Sequence, residues 1–131
     1  MKKKLIWSLF AVFCLAPAIV LAQGDIVNDV RESIKAGSSK ELAKYLNSSV
    51  DVTMDGDMGT YSKTQAEFIL RDFFKENPPS SFTIVHQGAS KGGLPYAIGQ
   101  YLSADRTFRV WMRIKNTGER YLIHEISFIK E

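Results

Sequence analysis

The chain has 131 residues, with 17 basic and 14 acidic side chains, a formal charge of +3 and one cysteine. The surplus charge equals the three lysines Lys2, Lys3 and Lys4 at the start, so the remainder is electrically balanced and offers no general attraction for nucleic acid or an anionic membrane. Once the leader segment containing Cys14 is removed, no disulfide, thiol nucleophile or thiolate metal site can be built.

Behind those lysines an apolar run extends from Leu5 to Ala22, broken by Ser8 and Pro17 and closing on Val20 and Ala22. This is the pattern of a secretory signal peptide, residues 1–22, cut between Ala22 and Gln23. An uncleaved anchor helix is the alternative, because the run just reaches bilayer length. Pro17 and the small residue at the cleavage position favour removal. Phe13 precedes Cys14 where a lipoprotein signal needs a small residue. The expectation is an exported protein, periplasmic or secreted, with no stable membrane anchor after cleavage and one domain over residues 23–131, large enough for a core without covalent staples.

After the leader, Asp25 is read as the N-cap of a helix that places Ile26, Val27, Val30 and Ile34 on one stripe and stops at Gly37. Ser38 and Glu41 have the spacing of a capping box for a second, short helix carrying Leu42, Ala43 and Leu46. Val50–Met54 and Met58–Tyr61 then flank Asp55-Gly56-Asp57, which reads as a hairpin. The acidic residues Asp51, Asp55 and Asp57 do not make a calcium loop, because Ser62 or Ala66 falls where the bidentate Glu is required.

Ser62 and Gln65 form another capping-box pair, and the helix they open carries Ala66, Ile69, Leu70, Phe73 and Phe74 on one face until Asn77-Pro78-Pro79 stops it. Phe68 lies on the opposite side, either covered by another element or marking a contact surface. Four extended runs follow, at Phe82–Ala89, Tyr96–Ser103, Thr107–Lys115 and Tyr121–Ile129, rich in β-branched and aromatic residues and joined by short Gly-, Asp- and Asn-containing links. In the third run Phe108, Val110, Met112 and Ile114 alternate with Arg109, Trp111, Arg113 and Lys115, so one face is apolar and the other mostly basic. The fold class is therefore α+β: a curved, antiparallel-rich sheet, made of a four-strand C-terminal meander plus an N-terminal hairpin, packed on about three helices.

This order of elements, with the text from Tyr61-Ser62-Lys63 through Phe73-Phe74, then Phe82-Thr83-Ile84-Val85-His86-Gln87-Gly88, and finally Leu122-Ile123-His124-Glu125-Ile126, resembles the nuclear transport factor 2-like superfamily. Within it the same text is similar to a secreted bacterial family of unknown function. The resemblance spans most of residues 25–129 and implies a cone with a cystatin-like α+β layout, open between the helices and the concave sheet face. It does not imply one activity, because that superfamily includes isomerases, dehydratases, ligand-binding modules and association domains. No residue here matches the catalytic acid that its enzymes place deep in the cone.

Two histidines follow the leader. His86 shares strand parity with Phe82 and Ile84, and His124 with Leu122, Ile126 and Phe128, so both are expected to point into the cone. There they are the candidates for a general base beside Tyr45, Tyr61 or Tyr96, or else are satisfied core or rim histidines. The expected pocket lining is Tyr45, Tyr61, Phe68, His86, Tyr96 and His124. No metal spacing, nucleophile elbow or phosphate loop is present, and no cofactor is expected. On the other face, Trp111 with Tyr101 and Val85 nearby suggests an interface for a homodimer, or rings covered by cationic stems. Three readings follow: a non-catalytic module holding a small apolar ligand or peptide, a proton-transfer enzyme of isomerase or dehydratase type, and a structural module that dimerises through its sheet.

Overall fold

The computed structural model describes residues 21–90 and 92–131, with side chains from Ile26 onward. The leader reading, with Cys14, lies outside the described residues except for Leu21 and Ala22. Among the described residues three helices, α1 (Leu21–Lys35), α2 (Ser39–Ala43) and α3 (Lys63–Glu76), accompany six strands: β1 (Leu46–Met54), β2 (Asp57–Ser62), β3 (Ser81–Ala89), β4 (Pro95–Ser103), β5 (Arg106–Asn116) and β6 (Tyr121–Lys130). The sheet runs in the order β2-β1-β6-β5-β4-β3. Every neighbouring pair is antiparallel except β1 with β6, which is parallel. The α+β class and the curved sheet expected from the sequence are what the molecule has. The parallel join arises because α3 and the whole meander separate β1 from β6, and so long a connection need not reverse direction.

Local signals account for most boundaries. Gly37 has φ +66° and ends α1, as its position after Lys35 suggested. Asp25 proves not to be a cap, because α1 already starts at Leu21. At α2 only half of the capping box forms. The Ser38 hydroxyl accepts from the Glu41 N–H, while the Glu41 carboxylate turns to Lys44 Nζ at 2.9 Å. The box that opens α3 is complete: Gln65 N–H reaches Ser62 Oγ at 3.2 Å, and Ser62 N–H reaches Gln65 Oε1 at 3.0 Å. The hairpin closes through Asp55-Gly56 alone, with φ of +49° and +97°, the paired positive values that match the twist of the strands.

Alternation then sorts the sheet into two faces. Val52, Ile126, Met112 and Ala97 lie in one row, and Phe128, Val110 and Gly99 in another, all turned toward the helices. Ala66, Leu70 and Phe74 of α3 and Val30 and Ile34 of α1 close over them. The opposite face carries the rows Ile98, Trp111, Ser127 and Tyr96, Arg113, Glu125.

The inner face is tightly filled where α3 meets it. The Phe73 ring sits 4.5 Å from Phe128, 5.1 Å from Phe108 and 5.4 Å from Tyr101, centroid to centroid. These spacings are those of favourable edge and tilted aromatic contacts. Tyr101 is fully buried and its hydroxyl donates to the Asn77 carbonyl. The bond ties β4 to the end of α3, where Asn77 N–H also returns to the Phe73 carbonyl at 2.8 Å. Tyr101 was expected on the outer face as part of an interface. Its register opposite Phe82 and Phe108 places it in the core instead.

Candidate functional site

Two strand irregularities decide where the histidines go. In β3, Ile84 pairs with Gly99 but His86 pairs with Ile98, so Val85 is an extra residue without a partner. The bulge reverses the alternation, and His86 leaves the side of Phe82 for the outer side, where it is exposed. In β6 the shift falls between Ile123, opposite Ile114, and Glu125, opposite Arg113. His124 is the additional residue there, and Ile123 rather than Leu122 joins the core. The simple parity that placed both imidazoles inside the cone fails at these two positions.

His86 nevertheless finds one of its expected partners. Its Nε2 lies 2.8 Å from the Tyr96 hydroxyl, with the rings tilted at 46°. Tyr96 stands on the same outer side, over Gly88, where a Cβ would come within 3.2 Å of the hydroxyl oxygen. The absent side chain at Gly88 makes room for the tyrosine. No carboxylate among the described residues bonds to either group, so the pair has no third member to orient a proton relay.

The other candidates are dispersed. Tyr45 is half-buried, and the mouth between α1 and the β5–β6 turn puts it beside Ile26, Asp29, Arg120 and Tyr121 in a hollow of about 420 Å³. Arg120 is fixed there by donating to the Lys44 carbonyl at 3.0 Å. Tyr61 packs against the core from β2 and stands over Gly59. Phe68 is 49% exposed with the Arg71 guanidinium 4.6 Å above its ring, away from both hollows. His124 is half-buried, and its Nδ1 is shielded from solvent without a hydrogen-bond partner. Trp111 is half-buried on the outer face with Arg113 4.7 Å over its ring, the cationic cover weighed as one alternative for this residue.

The larger hollow, about 560 Å³, lies between α1 and β3 and is lined by Val27, Asn28, Arg31, Ile84, Val85, His86 and Gln87. Of its lining only His86 is among the pocket residues expected from sequence; Val27 was read as part of the α1 stripe and Val85 as an outer-face neighbour of Trp111. The α1 residues recur at positions 27, 28 and 31, the helical spacing of one face. That face borders the core stripe of Ile26, Val30 and Ile34, so it forms a wall beside the sheet rather than a cover on it. The available signal was the polar text of Asn28 and Arg31 next to an apolar stripe. Among the described residues no group of three or more His, Cys, Asp or Glu gathers to hold a metal ion.

With this geometry in hand, the chain can be placed among known proteins. The model of a domain of unknown function, DUF4783, matches residues 27–128. The chain belongs to the DUF4783 family. A DUF4783 family protein from Bacteroides ovatus is similar at 32% identity and a TM-score of 0.74, over 79% of this chain and 93% of that one. Two more distant structures support the fold alone. An NTF2-like protein of unknown function from Shewanella baltica is 9% identical, with a TM-score of 0.66 over 87% of this chain and 94% of the other. A cystatin-like domain of unknown function from Nostoc punctiforme is 10% identical, with a TM-score of 0.66 over 85% of this chain and 78% of the other. No curated protein matches the chain. The DUF4783 fold is thus the nuclear transport factor 2-like one that the sequence resembled.

Proposed function

We propose that this DUF4783 protein is an exported binding module without catalysis of its own, taking a small ligand or a peptide in the groove between α1 and β3 rather than in the cone interior. The observation that carries this reading is the contrast between the two spaces. Phe73, Tyr101, Phe108 and Phe128 fill the place under α3. The α1/β3 groove is open and mixes carbon from Val27, Ile84 and Val85 with polar groups from Asn28, Arg31, His86 and Gln87, the composition of a recognition site. The leader pattern of residues 1–22 supports export.

The proton-transfer reading has the His86–Tyr96 pair in its favour. His86 is exposed on the edge strand, however, and a general base gains little where water surrounds it. Native mass spectrometry of the protein purified from its own host tests the proposal. A retained ligand in one-to-one ratio, lost in a Val85→Lys variant, is the expected result. A ligand retained equally by Val85→Lys places binding elsewhere and sinks this reading.

A further inference from the structure

We propose that the α1/β3 groove accepts an extended peptide by strand addition to β3, with a carboxylate of that peptide held by Arg31. The proposal rests on the binding-module reading above and names its ligand class.

The first argument is geometric. Ile84, Val85, His86 and Gln87 are consecutive, and all four line the groove. Strand side chains point to opposite faces, so four residues in a row meet one space only if the edge of the strand faces it. The bulge at Val85 does not alter this, since Ile84 and Gln87 belong to the inner side and His86 to the outer. β3 ends the sheet, and among the described residues no backbone hydrogen bond joins it to α1. Its outward N–H and C=O groups therefore face the groove, the arrangement that pairs with an added strand. Four residues give a track of roughly 13 Å, enough for a peptide of about four to six residues.

The second argument compares the two edges of the sheet. β2, at the other end, has six residues and begins with Asp57. β3 has nine residues with no charged side chain and no proline, and Val85 is 59% exposed. Natural edges are blunted by charge, proline or brevity. β3 keeps only its bulge.

The third argument chooses the occupant. Among the described residues Arg31 is the one charged residue lining the groove. Its terminal nitrogen is held by Asn28 Oδ1 and lies 3.4 Å from Glu32 Oε1 in an exposed pair, which offsets little of the guanidinium charge. The Arg31 side chain is 40% exposed, so a carboxylate entering the groove pairs with the accessible edge of its guanidinium. A second copy of the chain fits worse, because a shared β3 edge brings a second α1 and a second Arg31 toward the same groove.

Fluorescence anisotropy with the full chain and fluorescein-labelled hexapeptides of alternating threonine and valine tests this. One peptide ends in aspartate with a free terminus, one in asparagine amide and one in lysine amide. The expected result is saturable binding of the aspartate peptide, about tenfold tighter than the asparagine amide and tighter still than the lysine amide. N-methylation of alternate backbone nitrogens should abolish binding in one phase of alternation and spare it in the other. Arg31→Gln should melt like wild type and erase the preference for aspartate. Equal binding of all three peptides, no binding of any, an unchanged preference in Arg31→Gln, or a dimer that Val85→Lys dissociates would overturn the proposal. If the peptides fail while a non-peptide ligand is retained in the native spectra, strand addition falls and the binding-module reading stands. If both experiments come up empty, both fall.

Discussion

The patch of sheet beneath α3 and the stretch of β3 beside α1 belong to one sheet and obey opposite rules. Under α3, each ring is fixed by several others, and the single polar group in the cluster, the Tyr101 hydroxyl, is satisfied by the Asn77 carbonyl. Beside α1, a bulge breaks the ladder, Val85 stands out in solvent and the Arg31 Nε lacks a partner among the described residues. Packing that fully determines its neighbours leaves no space for a ligand; an edge with unused backbone groups spends stability to keep one available. The difference teaches where to look in this fold: the cone is where this chain invests its stability, and the open edge is where recognition has room.

Substitutions test that contrast by their effect on folding. Phe73→Ala removes the hub of the aromatic cluster and should cost about 3 to 5 kcal/mol in urea unfolding, toward the lower end because the ring is only half-buried. A loss under about 1 kcal/mol would mean that α3 is not docked on this patch. Next comes Gly99→Ala, on the inner face of β4. A Cβ there presses into the Phe82 ring and lies 3.1 Å from the Thr83 carbonyl oxygen. Overpacking of this kind should cost about 1 to 3 kcal/mol, and a neutral result would show that the inner face still has slack.

Tyr101→Phe should cost about 1 kcal/mol by deleting the bond to Asn77, and it carries a pH signature. Burial pushes the Tyr101 hydroxyl well above the ordinary tyrosine range, with Arg106 pulling weakly the other way. A raised pKa in the folded state means that the stability from this group is fully present below about pH 10, the unfolded value, and is lost as pH climbs toward the folded one. The wild-type melting temperature should therefore fall above pH 10 more steeply than that of Tyr101→Phe. Parallel curves would remove Tyr101 from the account. The smallest change is expected at the edge, where Val85→Lys should alter stability by no more than about 0.5 kcal/mol while removing ligand from the groove. A large destabilisation there would make β3 part of the packed region and erase the contrast.

Much of the architecture is legible in the sequence. The Ser62–Gln65 box, the Asp55-Gly56 turn, the Gly37 stop and the alternation from Phe108 to Ile114 are local patterns, and each marks the element or end it was read to mark. The candidate site was less legible. His86 and Tyr96 were both named, but as cone lining, and they meet on the outer side because Val85 has no partner on β4. Tyr101 was assigned outward although Ala97, Gly99 and Ser103 share its parity, and that run of small and buried residues was the available clue. Arg31 is hard to read as a site residue because on a helix its surroundings depend on a strand some fifty residues later in the chain.

Local chemistry alone determined the helices, the turns, the succession of strands along the chain and most of the apolar positions, since caps, positive φ and side-chain periods act within a few residues. Tertiary structure decided the parallel join of β1 to β6, the two bulges and the partners across them, because a strand learns its register only from the neighbour it pairs with. One extra residue in β3 moves an imidazole from the core side to the solvent side, and no pattern within β3 itself announces it.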